Sequence, residues 1–267
     1  MCAGVPDEAG AGRVLVDQAL LMDVLPFIAI GFAAQMVDGA LGMAFGVISS
    51  TLLISLGIPP AHASASVHTV ESFTTAASGV SHILHRNVDW RLLARLIVPG
   101  ICGAILGAYV LTQIDVSVAK PIVLTYLTLM GLYLLWRGLR YKPAEKKPKV
   151  IAPLGLVGGF LDAAGGGGWG PVVTSNLLIQ GAHPRKVIGT VNTAEFFITV
   201  TISATFIATL GLAAFTVATV GLLIGGLLAA PMGAWMAKRI TAPHLLVLVG
   251  TLLTITSLYG VARAIWF

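Results

Sequence analysis

The chain has 267 residues, 57% of them hydrophobic and only 10% charged, with a mean hydropathy of +0.92. A typical soluble domain carries about 25% charged residues, and a body of this size could not cover so much apolar surface with so few. The composition excludes an ordinary soluble protein and points to a polytopic membrane protein whose solvent is largely lipid.

The net charge of +5 matters less than its placement. Six of the sixteen basic residues fall in Arg137–Lys149. Beside apolar spans, such a run marks a cytoplasmic loop rather than a nucleic-acid site. Cys2 and Cys102 are too few and too far apart for a disulfide framework. Asp7, Glu8 and Asp17 stand where the basic start of a signal peptide would be expected, so residues 1–18 are read as an extracytoplasmic tail.

In chain order, the first apolar stretch is Val24–Val37, followed by Asp38-Gly-Ala-Leu-Gly and a second stretch over Ala44–Gly57. A span follows over about Ala63–Leu84, then Leu96–Ile114 with nineteen uncharged residues and Pro121–Trp136 with sixteen. Beyond the basic loop, Val150–Leu161 offers twelve residues before Asp162, only ~18 Å of helix. A glycine run and the short stretch Trp169–Ala182 come next. Between Lys186 and Lys238 the only charge in fifty-one residues is Glu195, which leaves room for two spans joined near Gly211, and Ile240–Ala262 closes the chain. A full crossing needs about 20 apolar residues. Each short pair is therefore either two tilted spans or a re-entrant hairpin.

The two halves resemble one another at an offset of 124 residues: Gly31 matches Gly155, Asp38 Asp162, Gly42 Gly166, Gly46 Gly170, Thr69 Thr193, Glu71 Glu195 and Thr75 Thr199. Basic loops at Arg86–Arg95, Arg137–Lys149, Arg185–Lys186 and Lys238–Arg239 should all be cytoplasmic. Each half then holds a short pair plus three spans, an odd number of crossings, so the halves lie in opposite orientations. The expected fold is all-α, with eight to ten transmembrane segments in two inverted repeats (19–138 and 150–267) joined by the cytoplasmic loop 139–149. Each repeat carries a broken or re-entrant helix pair around a Gly-rich motif. That is the plan of secondary transporters, with the substrate near the midplane.

Four acids lie well inside the apolar stretches: Asp38, Glu71, Asp162 and Glu195. Each costs about 2.5–3.5 kcal/mol at a helix centre unless it is protonated, capped or wet. The aspartates are placed to cap the short helices that follow them. The glutamates are candidates for proton binding. His68, Glu71, Ser72, Thr75, Ser78 and His82 recur at three- and four-residue steps, as do Asn192, Glu195, Thr199 and Ser203, putting each set on one helix face. Gly165-Gly166-Gly167-Gly168-Trp169 matches a dinucleotide fingerprint only formally, for no βαβ pattern surrounds it. Its glycines, with Gly39 and Gly42 in the first half, instead allow sharp turns that aim free N–H groups at an anion. Ser66, Thr69, Asn192 and Thr193 are candidate supporting ligands. The histidines have no spacing for a metal set, no cofactor is expected, and no nucleophile arrangement supports an intramembrane enzyme.

The duplicated Gly-x6-Asp-Gly/Ala-x-x-Gly pattern (Gly31 to Gly42, Gly155 to Gly166), with the later Thr-x-Glu of Thr69–Glu71 and Thr193–Glu195, resembles the TauE/SafE family of sulfite-exporter-like membrane proteins. The resemblance implies a multi-pass transporter of the bacterial cytoplasmic membrane, carrying a small sulfur-containing anion such as sulfite, sulfoacetate or another organosulfonate. Protons are the expected coupling ion, and a homodimer is left open. The rivals are a cation or metal carrier using the same carboxylates, and a non-transporting membrane assembly factor.

Overall fold

The computed structural model describes residues 23–38, 43–140, 148–212, 215–237 and 242–266. The expected tail 1–18, most of the basic loop, and Gly39 and Gly42 lie outside these. The described residues are helical, without strands. In chain order they form α1 (residues 23–38), α2 (Phe45–Ser55), α3 (Pro60–Leu84), α4 (Trp90–Gln113), α5 (Val116–Leu139) and α6 (Ala152–Gly165). There follow a π-helical turn (Trp169–Thr174) running straight into α7 (Ser175–Ile179), then α8 (Pro184–Leu210), α9 (Val217–Ala237) and α10 (Ala242–Trp266).

Local chemistry sets these boundaries. Proline at the first turn opens α3 and α8, where its missing N–H costs nothing. Asp89 starts α4 by accepting hydrogen bonds from the amides of Arg91 (3.0 Å) and Leu92 (3.2 Å). The expected helix over Trp169–Ala182 is instead a π-turn and one short α-helix. Pro171 sits in that turn without an N–H to give, and π-turns recur where a helix is locally re-aimed.

Three helices among the described residues are long and apolar enough to cross a membrane: Trp90–Gln113, Val116–Leu139 and Lys186–Leu210. The surface agrees. Val98, Leu106, Ile122, Leu129, Leu227, Leu248 and Ile255 are each more than half exposed, an arrangement that only an apolar solvent makes favourable.

Glycines bring the helices into close register. Gly155 and Gly159 of α6 face the carbonyls of Leu96 and Gly100, while Gly103 and Gly107 of α4 face those of Leu156 and Phe160. Numbers rise together, so α4 and α6 run parallel, backbone against backbone, the small-residue packing of apolar media. The same relation joins α9 to α1: Gly221 lies against Val24 and Phe27, and Gly225 against Ile28 and Phe32. Each half thus lends a long helix to the other half's short pair. Two further pairs run antiparallel. In α5 and α10, Gly138 meets Pro243 and Val247, and Gly131 meets Gly250 and Thr254. In α3 and α8, Gly79 meets Thr193 while Ser72 reaches Ser203.

The second short pair is closed at its base. The Gln180 side chain accepts hydrogen bonds from the amides of Lys149 (2.8 Å) and Val150 (3.0 Å) and donates to the Val150 carbonyl (3.2 Å). The beginning of α6 and the end of α7 therefore lie side by side, and the glycine run is the far tip of a hairpin.

Candidate functional site

Each short pair turns around an aspartate. Asp38 Oδ1 accepts hydrogen bonds from the amides of Ala44 (2.7 Å) and Phe45 (3.1 Å), and Asp162 Oδ1 from those of Gly168 (2.7 Å) and Trp169 (2.8 Å). The acceptor–donor spacings are the same in both, so residues 124 apart do the same job. A carboxylate beside the first amides of a helix is favoured by the partial positive charge gathered there. The chain between must bend back sharply: Gly166 and Gly167 take φ of 70° and 146°, in the left-handed region open chiefly to glycine.

The two tips meet. Gly167 lies against the backbone of Gly46 and Val47, with no room for a Cβ, and Gly170 packs on Met43. Ser50 donates to the Gly166 carbonyl, Tyr126 from α5 to the Gly167 carbonyl (3.0 Å), and Ser64 from α3 to the Ala163 carbonyl (2.7 Å). Trp169 is fully buried, its Nε1–H on the Val191 carbonyl at 3.2 Å. Contacts from α2, α3, α5 and α8 thereby pin the turn.

Between the tips lies a cavity of about 10 Å3, about one water's worth, lined by Asp38, Glu71, Asp162 and Glu195 together with Gly46, Gly167, Gly168 and Gly170. All four acids singled out in the sequence reach it. Glu71 is 6% exposed and lies beside the backbone of Gly46. His68, buried in the same helix, places Nδ1 2.7 Å from the Ser64 carbonyl, which can only accept, so Nδ1 carries the proton. Its Nε2 faces Asp162 Oδ2 at 3.2 Å and Glu71 Oε2 at 3.9 Å.

The other expected residues lie nearby but outside the cavity lining. Gly165 packs on the Tyr126 ring. Ser66 accepts from the Thr219 hydroxyl (2.9 Å). The hydroxyls of Thr69 and Thr193 turn back onto the carbonyls of Ala65 (2.8 Å) and Gly189 (2.7 Å). Asn192 accepts from Ser78 at 3.1 Å. Met43, Ser50, Ser64 and Tyr126 shape the tips without having been expected. For Ser64 a signal existed, since it precedes His68 by one helical turn; for Tyr126 there was none.

Helices with an exposed apolar surface, and four acids gathered where two helix starts meet, define an integral membrane protein with a buried acidic cluster. A family model described as "Sulfite exporter TauE/SafE" matches residues 27–260. A protein of Bacillus subtilis (strain 168), named "Probable membrane transporter protein YtnM", is 47% identical over 236 residues, covering 85% of this chain and 79% of the relative. The chain belongs to the TauE/SafE family of membrane transporters. No solved structure matches it.

Proposed function

We propose that the protein is a proton-coupled secondary transporter of a small sulfur-containing anion (sulfite, sulfoacetate or another organosulfonate) in the bacterial cytoplasmic membrane. It works by alternating access between two inverted repeats. The observation that carries this is the meeting of two aspartate-capped helix starts at a cavity that Glu71 and Glu195 also line. Helix starts present amides to an anion, but an ionised carboxylate alongside repels it. Anion binding therefore favours the protonated forms of Glu71 and Glu195, and the two species move together.

The antiparallel run of α3 against α8 and of α5 against α10, each pair related by the internal repeat, supports opposite orientation of the halves. The closed base of the second hairpin and the ~21 Å reach of the 14-residue α6 support a re-entrant loop whose tip stops inside the ~30 Å hydrocarbon layer. Rocking one half against the other would separate the tips and open the cavity to one side at a time.

The test is flux in proteoliposomes over a panel of oxyanions and sulfonates, with and without a proton gradient. Uptake driven by the gradient for one of these anions, lost in Glu195→Gln while the protein stays folded, is expected. Flux that ignores the gradient, together with a fully active Glu195→Gln, overturns the coupling. The four acids are the one observation favouring a cation carrier. Against it, one oxygen of each aspartate is already committed to backbone amides. Divalent cations, rather than sulfite or sulfonates, raising the melting temperature would reverse the assignment.

A further inference from the structure

A second cavity, far larger than the first at about 550 Å3, opens between the start of α4, the segment before α6 and the start of α8. Arg91, Arg95, His183 and Lys186 line it, with Asp89 the one acid among the described residues. We propose that this basin binds the phosphate headgroup of an anionic membrane lipid, a site separate from the transport pathway and independent of how transport is coupled.

The charges are arranged for an anion. Asp89 is partly engaged, its Oδ1 taking the Arg91 and Leu92 amides at the start of α4. Lys186 gives two of its three N–H groups to the carbonyls of Arg86 (2.8 Å) and Val88 (3.3 Å), which holds the ammonium in the basin lining and leaves the third N–H without a partner among the described residues. Arg91 and Arg95, one turn apart on α4, are exposed and complete a positive wall. A free oxyanion would be satisfied by such charges but would use little of the volume.

What selects a lipid is the surface below. The face of α4 that carries Arg91 and Arg95 continues through Val98, Cys102 and Ile105 at three- and four-residue steps, all exposed, with Val98 at 67%. Alongside, Leu156 and Val157 of α6 are exposed as well. Cationic heads above an unbroken apolar stripe match a molecule with a phosphate at one end and hydrocarbon at the other. Basic loops mark the cytoplasmic side, where anionic lipid attracts such clusters.

The test compares melting temperatures of the purified full-length protein in detergent after addition of phosphatidylglycerol, phosphatidylcholine or inorganic phosphate. Wild type should be stabilised by phosphatidylglycerol alone. The apparent affinity for it should fall roughly fivefold for Arg95→Gln and about twenty- to thirtyfold for Arg91→Gln/Arg95→Gln, from the contribution of each basic residue near a charged membrane surface. Arg140→Gln, an exposed basic residue outside the basin, should change nothing, and it controls for net charge. An equal shift with phosphatidylcholine overturns the headgroup site. An equal shift with inorganic phosphate reassigns the basin to free anions and also overturns it, as does an unaltered phosphatidylglycerol response in the folded Arg95→Gln protein. None of these outcomes bears on flux, so the transport proposal stands or falls separately.

Discussion

Replacing Asp162 by alanine and by asparagine separates its role as an acceptor from its role as a charge. The Oδ1 atom takes two amide hydrogen bonds in a residue only 2% exposed, so alanine leaves the Gly168 and Trp169 amides without their acceptor in a nearly dry site. Hydrogen bonds to a charged group contribute about 1.5–3 kcal/mol each. Removing one of four neighbouring acids relieves some mutual repulsion, and cap substitutions alone cost ~0.5–2 kcal/mol. A net loss of ~3 kcal/mol is expected for Asp162→Ala. At ~2–4 °C per kcal/mol, melting should fall by roughly 6–12 °C in a detergent thermal-shift assay. Asparagine keeps an acceptor for both amides and turns an NH2 group toward His68 Nε2, whose lone pair can receive it. Asp162→Asn should therefore lie within ~1 kcal/mol of wild type. Equal losses for the two variants would mean that the negative charge, not the acceptor, organises the tip; no loss for alanine would refute the capping argument altogether.

Further outcomes follow from other contacts. Gly103→Ala drives a methyl group into the Leu156 carbonyl, and the parallel backbones must part. A cost of ~1–3 kcal/mol, seen as a lower melting temperature, is expected. Gln180→Leu removes the three hydrogen bonds that close the second hairpin; hydrogen exchange at residues 149 and 150 should rise, with ~1–2 kcal/mol lost overall. Tyr126→Phe strips the Gly167 carbonyl of its 3.0 Å partner at a cost of ~1 kcal/mol and should loosen the tip without altering the cap, measurable as faster exchange of the Gly167 amide but not of the Gly168 amide.

The membrane class was legible from composition. The equivalence of the two tips was legible from Asp38 and Asp162 alone, because a capping aspartate fixes which later amides it must meet. Glu71 and Glu195 stood out for a physical reason, since a charge in an apolar stretch is costly and so rarely idle. The hydroxyls were harder. Thr69 and Thr193 share the polar face of the glutamates, yet both return their hydrogen bonds to a carbonyl one turn earlier, a local choice that spacing cannot distinguish from a ligand. Tyr126 meets Gly167 across 41 residues, through the approach of two helices rather than through any pattern in either. The shortening of α7 turned on Pro171, whose missing N–H was visible, but whose effect depended on where Asp162 had already set the start of the turn.

The crossed loan of long helices constrains how the molecule can be taken apart. Since α4 lies on the second hairpin and α9 on the first, severing the chain at the central loop divides the polypeptide without dividing the core. Neither fragment would keep a full set of neighbours when made alone, while the two produced together could still interlock into the intact assembly.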